Sequence, residues 1–155
     1  MSALRSTIPA ITLWQPWASW MAWGWKTIET RTHLRFQSLL GKTVAIHAGL
    51  RVDRNAVHLA RFSMPLPMCQ LAAFAWREGP AAHRGCVIAT ARMVEVIPSI
   101  PSADGVFKGS MISENHDVIG KVGYRFENIR PLKNPIPARG HQGIWYWQVP
   151  EGVNI

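Results

Sequence analysis

Apolar positions along this chain come in short runs, and most runs have the length of a strand. Ala10 to Trp14 (AITLW) is rich in β-formers and reads as a buried first strand. Lys26 to Arg31 alternates, which predicts a second strand with Lys26, Ile28 and Thr30 on one face and Thr27, Glu29 and Arg31 on the other. Gly41-Lys42 turns the chain into Thr43 to Ala48 (TVAIHA), a run of β-branched and small residues. Gly85 to Ile97 is the longest strand expected, and Tyr124 to Leu132 and Ile144 to Val149 supply two more. Between these two, Asn134 to Gly143 (NPIPARGHQG) is expected to be a loop, because proline cannot donate to a central ladder.

Helical signals are few and short. Pro16 marks a helix start, with Trp17 to Trp23 as the helix and Gly24 ending it. Asp53 is a good N-cap for a helix from Arg54 to about Phe62. Pro65 and Pro67 place Ser63 to Met68 in a loop, and Gln70 to Trp76 is a candidate short helix. Pro98 to Asn115, rich in Ser, Gly and Pro, reads as a long excursion. No repeat or linker interrupts residues 1–155, so one domain is expected. Its class is α+β but mainly β: a small β-barrel of five or six strands with two or three short helices.

Composition narrows the function. The 155 residues suffice for one real core, and no run is apolar for the roughly 20 residues that cross a bilayer. Without a secretory signal pattern at Met1 to Ala10, a cytoplasmic, monomeric protein is expected. Cys69 and Cys86 are too few for a disulfide framework and are expected to be reduced, buried thiols. The six histidines (33, 47, 58, 83, 116 and 141) show no ligand-like spacing, and no Gly-rich phosphate loop is present, so neither metal nor cofactor is expected.

Charge is more telling. The net charge is +8, and residues 1–92 carry eleven of the 17 basic residues against three acids, Glu29, Asp53 and Glu78. Residues 93–155 are balanced. Twelve of the basic residues are Arg, which grips phosphate in a fork and stacks on bases. A basic half joined to a neutral half suits a phosphate-binding face, and RNA or DNA, single-stranded or not, is the partner this implies.

Three clusters are candidates for chemistry. Trp14, Trp17, Trp20, Trp23 and Trp25 crowd one stretch. Core packing is expected for Trp20 and Trp23, whereas Trp14 and Trp17 flank the Gln15-Pro16 turn, where core and base-stacking roles fit equally. Lys26, Glu29 and Arg31 form a polar group in which Glu29 and Arg31 share a face; a structural ion pair and a pocket wall both fit. Arg54, His58 and Arg61 fall on one stripe of the second expected helix, with Arg51 just before it, and such a stripe either tracks a phosphate backbone or is a solvated face.

Several of these motifs, taken in order, resemble the ASCH family of the PUA-like superfamily. They are Leu13-Trp14-Gln15-Pro16-Trp17-Ala18-Ser19, the run Gly24-x-Lys26-x-x-Glu29-x-Arg31, and Ala45-Ile46-His47-Ala48. The Gly85 to Val96 strand matches too, as does Pro135-Ile136-Pro137-x-Arg139-Gly140 followed by Gly143-Ile144-Trp145. The resemblance implies a PUA-like barrel that binds RNA or DNA, with a cleft for a base or nucleotide at Lys26, Glu29 and Arg31. Trp14, Gln15, Trp17 and His47 join that ligand-binding set through their expected positions beside the strand. Some members of the family resemble amidohydrolases acting on N4-acylated cytidine through a Lys, a Thr three residues later and a distant Glu. Lys26 matches the first, but Glu29 stands where the Thr is expected. An enzyme acting on a modified nucleoside, or a nuclease acting on RNA, is therefore the alternative, with Lys26 and Glu29 as its catalytic pair.

Overall fold

The computed structural model describes residues 6–56, 83–102 and 118–155. Six strands form one mixed sheet: β1 Thr7–Gln15, β2 Ile28–Arg31, β3 Thr43–Val52, β4 Cys86–Ile97, β5 Val122–Pro137 and β6 Trp145–Gln148. Their order across the sheet is β2-β5-β4-β3-β1-β6, with β1 and β3 parallel and every other pair antiparallel. The expected mainly-β architecture of six strands is present. The expected barrel is not closed by backbone hydrogen bonds among the described residues, where β2 and β6 are the edges of the sheet.

Alternation along the strands sets two apolar layers. On one face Ile11 and Leu13 of β1, Val44, Ile46 and Ala48 of β3, Met93 of β4 and Tyr124 and Phe126 of β5 form the main core. The helix α1, Trp17–Ala22, packs onto it through Ala18, Met21 and Ala22, beside Phe36 and Leu39 at a 3-10 turn over Gln37–Leu39. On the other face Ala10, Ala45, Val87, Trp147 and Val149 form a smaller layer with Ile136 and Trp145 against it.

The two ends of α1 set the path of the chain into β2. Pro16, expected at the first helical position, is instead the N-cap and follows a cis peptide bond. A proline has no capping side chain, and Gln15 supplies the missing acceptor: its Oε1 takes the Ser19 N–H at 3.1 Å. At the other end Gly24 has φ +73°. Its N–H donates to Met21 O and that of Trp25 to Trp20 O, both at 2.9 Å, which is a Schellman closure. The Lys26 N–H also reaches Trp20 O, at 3.1 Å, so the chain turns back against the helix before β2 begins.

The first part of one expected loop, residues 134–137, is strand, and residues 138–143 are irregular as expected. β5 continues to Pro137, pairing Ile136 with Val87 and Pro137 with Cys86, through a region expected to be irregular. The prolines fit because β2 covers only the first part of β5, from Val122 to Arg125. Beyond it the far side of β5 has no strand partner among the described residues, so a missing N–H on that side costs no ladder bond there. The second helix starts as expected: residues 54–56 are helical, and Asp53 Oδ1 caps the Ala56 N–H at 3.0 Å. The remainder of that helix with His58 and Arg61, the loop at 63–68, the candidate helix at 70–76 and Cys69 lie outside the described residues. Cys86 is a free, partly buried thiol whose pKa burial raises. Among the described residues no helix is long and apolar enough to cross a membrane.

Candidate functional site

β2 sits at one edge of the sheet and β1 next to the other, yet the sheet curls enough for a side chain to bridge them. Arg31 Nη2 donates to the Thr12 carbonyl at 3.3 Å and pairs with Glu29 Oε1 at 3.2 Å. Antiparallel pairing with β6 covers β1 from Thr7 to Ala10. Past that point no strand among the described residues covers that side of β1, and Arg31 reaches it from β2.

Lys26 completes the cluster, though not in the way its alternation predicts. The regular strand starts at Ile28, and the turn fixed by the end of α1 brings the Lys26 ammonium onto Glu29 Oε2, so the two lie on one side. Glu29 is therefore held by a cation on each carboxylate oxygen. Lys26 and Glu29 are 4% and 6% exposed, and Arg31 is half-buried. Burial pushes the Lys26 pKa below its ordinary value; the attraction of Glu29 opposes this, and Arg31 adds to it.

The cluster has more donors than acceptors. The Lys26 ammonium carries three N–H groups, and Glu29 is that ammonium's one hydrogen-bond partner among the described residues. Arg31 Nε is buried with no partner among them. A buried cluster of net positive charge with unused donors is equipped to receive an acceptor-rich ligand.

Trp17 forms one wall. Lys26 Nζ lies 5.3 Å from its ring centroid, its Nε1–H donates to Asp53 Oδ2 at 3.1 Å, and its ring meets Trp20 edge-on at 5.1 Å. Trp20 is buried, and Trp23 packs at the margin of the core against Trp25. Trp14 is different: it is 47% exposed, and the Arg51 guanidinium lies 5.4 Å from its ring centroid. Gln15 is fully buried and committed to the frame, since its Nε2 also donates to His83 O at 2.9 Å. Arg51, at the end of β3, and Arg54, just after the Asp53 cap, are both exposed.

His47 lies in a second polar group, joined to the first through Thr12. Its Nε2 lies 2.8 Å from the Ala138 carbonyl, so that nitrogen carries the hydrogen and Nδ1 accepts from the Thr12 hydroxyl at 3.2 Å. The Thr12 hydroxyl in turn accepts from Trp145 Nε1–H at 3.1 Å. Gly140 closes the group: a Cβ there would stand 2.4 Å from His47 Cε1. Burial lowers the His47 pKa, the Ala138 carbonyl opposing this and His141 adding to it.

Sequence reasoning brought Lys26, Glu29, Arg31 and Trp17 together, and the structure does the same. It places His47 apart from them, behind Thr12. It adds three groups that sequence reasoning passed over: the Thr12 carbonyl, Asp53 as the partner of Trp17, and exposed Arg84. Thr12 had a signal, a polar residue between two core-facing neighbours, Ile11 and Leu13.

No family model and no curated protein matches this sequence. Among solved structures, the chain matches the ASCH protein from Zymomonas mobilis with a TM-score of 0.54 at 16% identity, covering 90% of this chain and 87% of that one. A tyrosine-to-phenylalanine variant of that protein matches with a TM-score of 0.55 at 13% identity, covering 90% and 89%. A serine-to-alanine variant gives 0.53 at 13%, covering 90% and 87%. The likeness is one of fold: this chain has the architecture of the ASCH structures.

Proposed function

We propose that this ASCH-fold chain binds RNA or DNA and takes one base or nucleotide into the cleft between β1 and β2. The observation that carries the reading is the buried Lys26–Glu29–Arg31 cluster with donors left over. Glu29 accepts from a base amino group while Lys26 and Arg31 meet ring acceptors or phosphate, and the Trp17 ring supplies a wall for the base. The basic excess of residues 1–92 supports the backbone part of the same reading, with Arg51 and Arg54 exposed to meet it.

The test is a titration with single-stranded RNA, single-stranded DNA and duplex DNA at two salt concentrations. Affinity should fall as salt rises and should weaken in Arg31→Gln, a change at a half-buried position that leaves the Lys26–Glu29 pair in place. Affinity indifferent to salt removes the electrostatic part, and an unaltered Arg31→Gln variant removes the cleft.

One observation favours a second reading, hydrolysis of N4-acylated cytidine, of another modified nucleoside or of RNA. Burial holds Lys26 below its ordinary pKa directly against a carboxylate, which suits the pair to moving a proton. Incubation of pure protein with acylated cytidines and with RNA, followed by chromatography, tests it. Absence of product across pH rejects it.

A further inference from the structure

We propose that Trp14, Arg51, Arg54 and Arg84 form a second subsite, beside the cleft, that takes the neighbouring nucleotide of a single strand. The inference rests on the nucleotide-binding reading of the cleft and names its ligand more narrowly: an unpaired polynucleotide rather than a free nucleoside or a duplex.

The exposure of Trp14 is the starting point. Leu13 and Gln15 on either side are buried, whereas the Trp14 ring stands 47% exposed at the end of β1. Burying this ring against a ligand recovers apolar area that folding left in water. The Arg51 guanidinium lies on the ring, and Arg84 Nη1 reaches the carbonyl of Leu50 at 3.5 Å, which brings a second arginine beside Arg51. Arg54 is exposed at the start of the following helix. The nearest carboxylate in sequence, Asp53, spends one oxygen on the Trp17 N–H and the other on the Ala56 N–H. None of the three arginines has a carboxylate partner among the described residues.

An exposed aromatic ring beside guanidiniums that no carboxylate pairs with among the described residues is the arrangement that stacks an unpaired base and holds its phosphate. A duplex conceals its base faces and has nothing to lay on Trp14. The spacing links the subsite to the cleft: Thr12, whose carbonyl holds Arg31, lies two residues before Trp14, roughly 7 Å along an extended strand. Trp17, the wall of the cleft, comes three residues after.

The experiment is competition by mono-, di-, tri- and hexanucleotides of one sequence against a labelled single strand, using the full chain. Affinity should rise with length. Trp14→Ala should lower oligonucleotide affinity on the order of 5- to 150-fold, the range seen for loss of one stacking ring, and lower mononucleotide affinity far less. Trp14→Phe should keep most of the gain, and annealing the complementary strand should abolish the dependence on Trp14. The proposal is overturned if the gain with length survives in Trp14→Ala, if a duplex shows the same dependence, or if polyglutamate competes as well as the oligonucleotide. Mononucleotide binding that is lost in Arg31→Gln, with nothing added by length, removes this subsite and keeps the cleft. Oligonucleotide binding that needs Trp14 but ignores Arg31→Gln removes the cleft and keeps the subsite.

Discussion

Two buried polar groups meet at Thr12, and they are built on opposite terms. Behind it, Trp145 N–H, the Thr12 hydroxyl, the His47 ring and the Ala138 carbonyl form a chain in which each donor has an acceptor and the imidazole is neutral. In front of it, the Thr12 carbonyl takes Arg31, and Lys26, Glu29 and Arg31 keep a net charge and unspent donors. A closed network rigidifies a frame, whereas a network short of acceptors has something left to offer a ligand. Its expected position beside the Lys26 to Arg31 strand grouped His47 with the ligand-binding residues; its hydrogen bonds give it the work of fixing the strand that Arg31 grips.

The largest expected effect separates stability from binding in the open group. Glu29→Ala strands the Lys26 charge at a buried position and should cost about 3–5 kcal/mol in urea denaturation, whereas Lys26→Ala leaves Arg31 on Glu29 and should cost less. Lys26→Met combined with Glu29→Gln removes both charges at similar volume. It should recover most of that stability without recovering nucleotide affinity. A double variant that still binds would make the pair structural and the comparison empty.

In the closed group the expectation is reversed. Gly140→Ala drives a Cβ into His47 and the Thr12 hydroxyl, neither of which can move without breaking its own hydrogen bonds. Overpacking of this kind costs about 1–3 kcal/mol. Stability should drop by that amount while mononucleotide affinity, measured well below the unfolding midpoint, stays within about twofold, a small fraction of 1.4 kcal/mol.

A pH series sharpens the same contrast. Burial lowers the His47 pKa, so below the unfolded value of about 6.5 the unfolded chain binds more protons than the folded one. The stability that His47 contributes is full above that pH and falls as pH drops toward the folded pKa. Denaturation midpoints at pH 7.5 and 5.5 should differ more for the native chain than for His47→Gln. Equal differences would mean that His47 titrates freely.

How far the sequence reached depends on which force decided each feature. β1, β3 and β4 were legible because each is a run of apolar, β-branched and small residues, the composition of a buried strand. The full length of β5 was not, since Pro135 and Pro137 argue against a strand unless its far side is known to lack a strand partner. Glu29 and Arg31 were expected on one face and pair there. Lys26 was expected on the opposite face, and the Schellman turn at Gly24, a backbone event two residues earlier, brings it round. The curl that lets Arg31 reach Thr12 is a property of the whole sheet and left no local mark.

The smallest expected effect on stability is the most diagnostic for the open group. Arg31 is half-buried, and its pairing with Glu29 is partly screened, so Arg31→Gln should lower stability by less than about 1 kcal/mol. Glutamine can still donate to Thr12 O, but it has no charge and no Nε–H to offer. Nucleotide affinity should therefore fall tenfold or more, about 1.4 kcal/mol, while the urea midpoint hardly moves. Arg31→Lys keeps the charge without the planar fork and should recover only part of the loss. Full rescue by lysine would mean that Arg31 acts as a point charge; no loss in either variant would leave the arginine as a strap between β2 and β1 and nothing more.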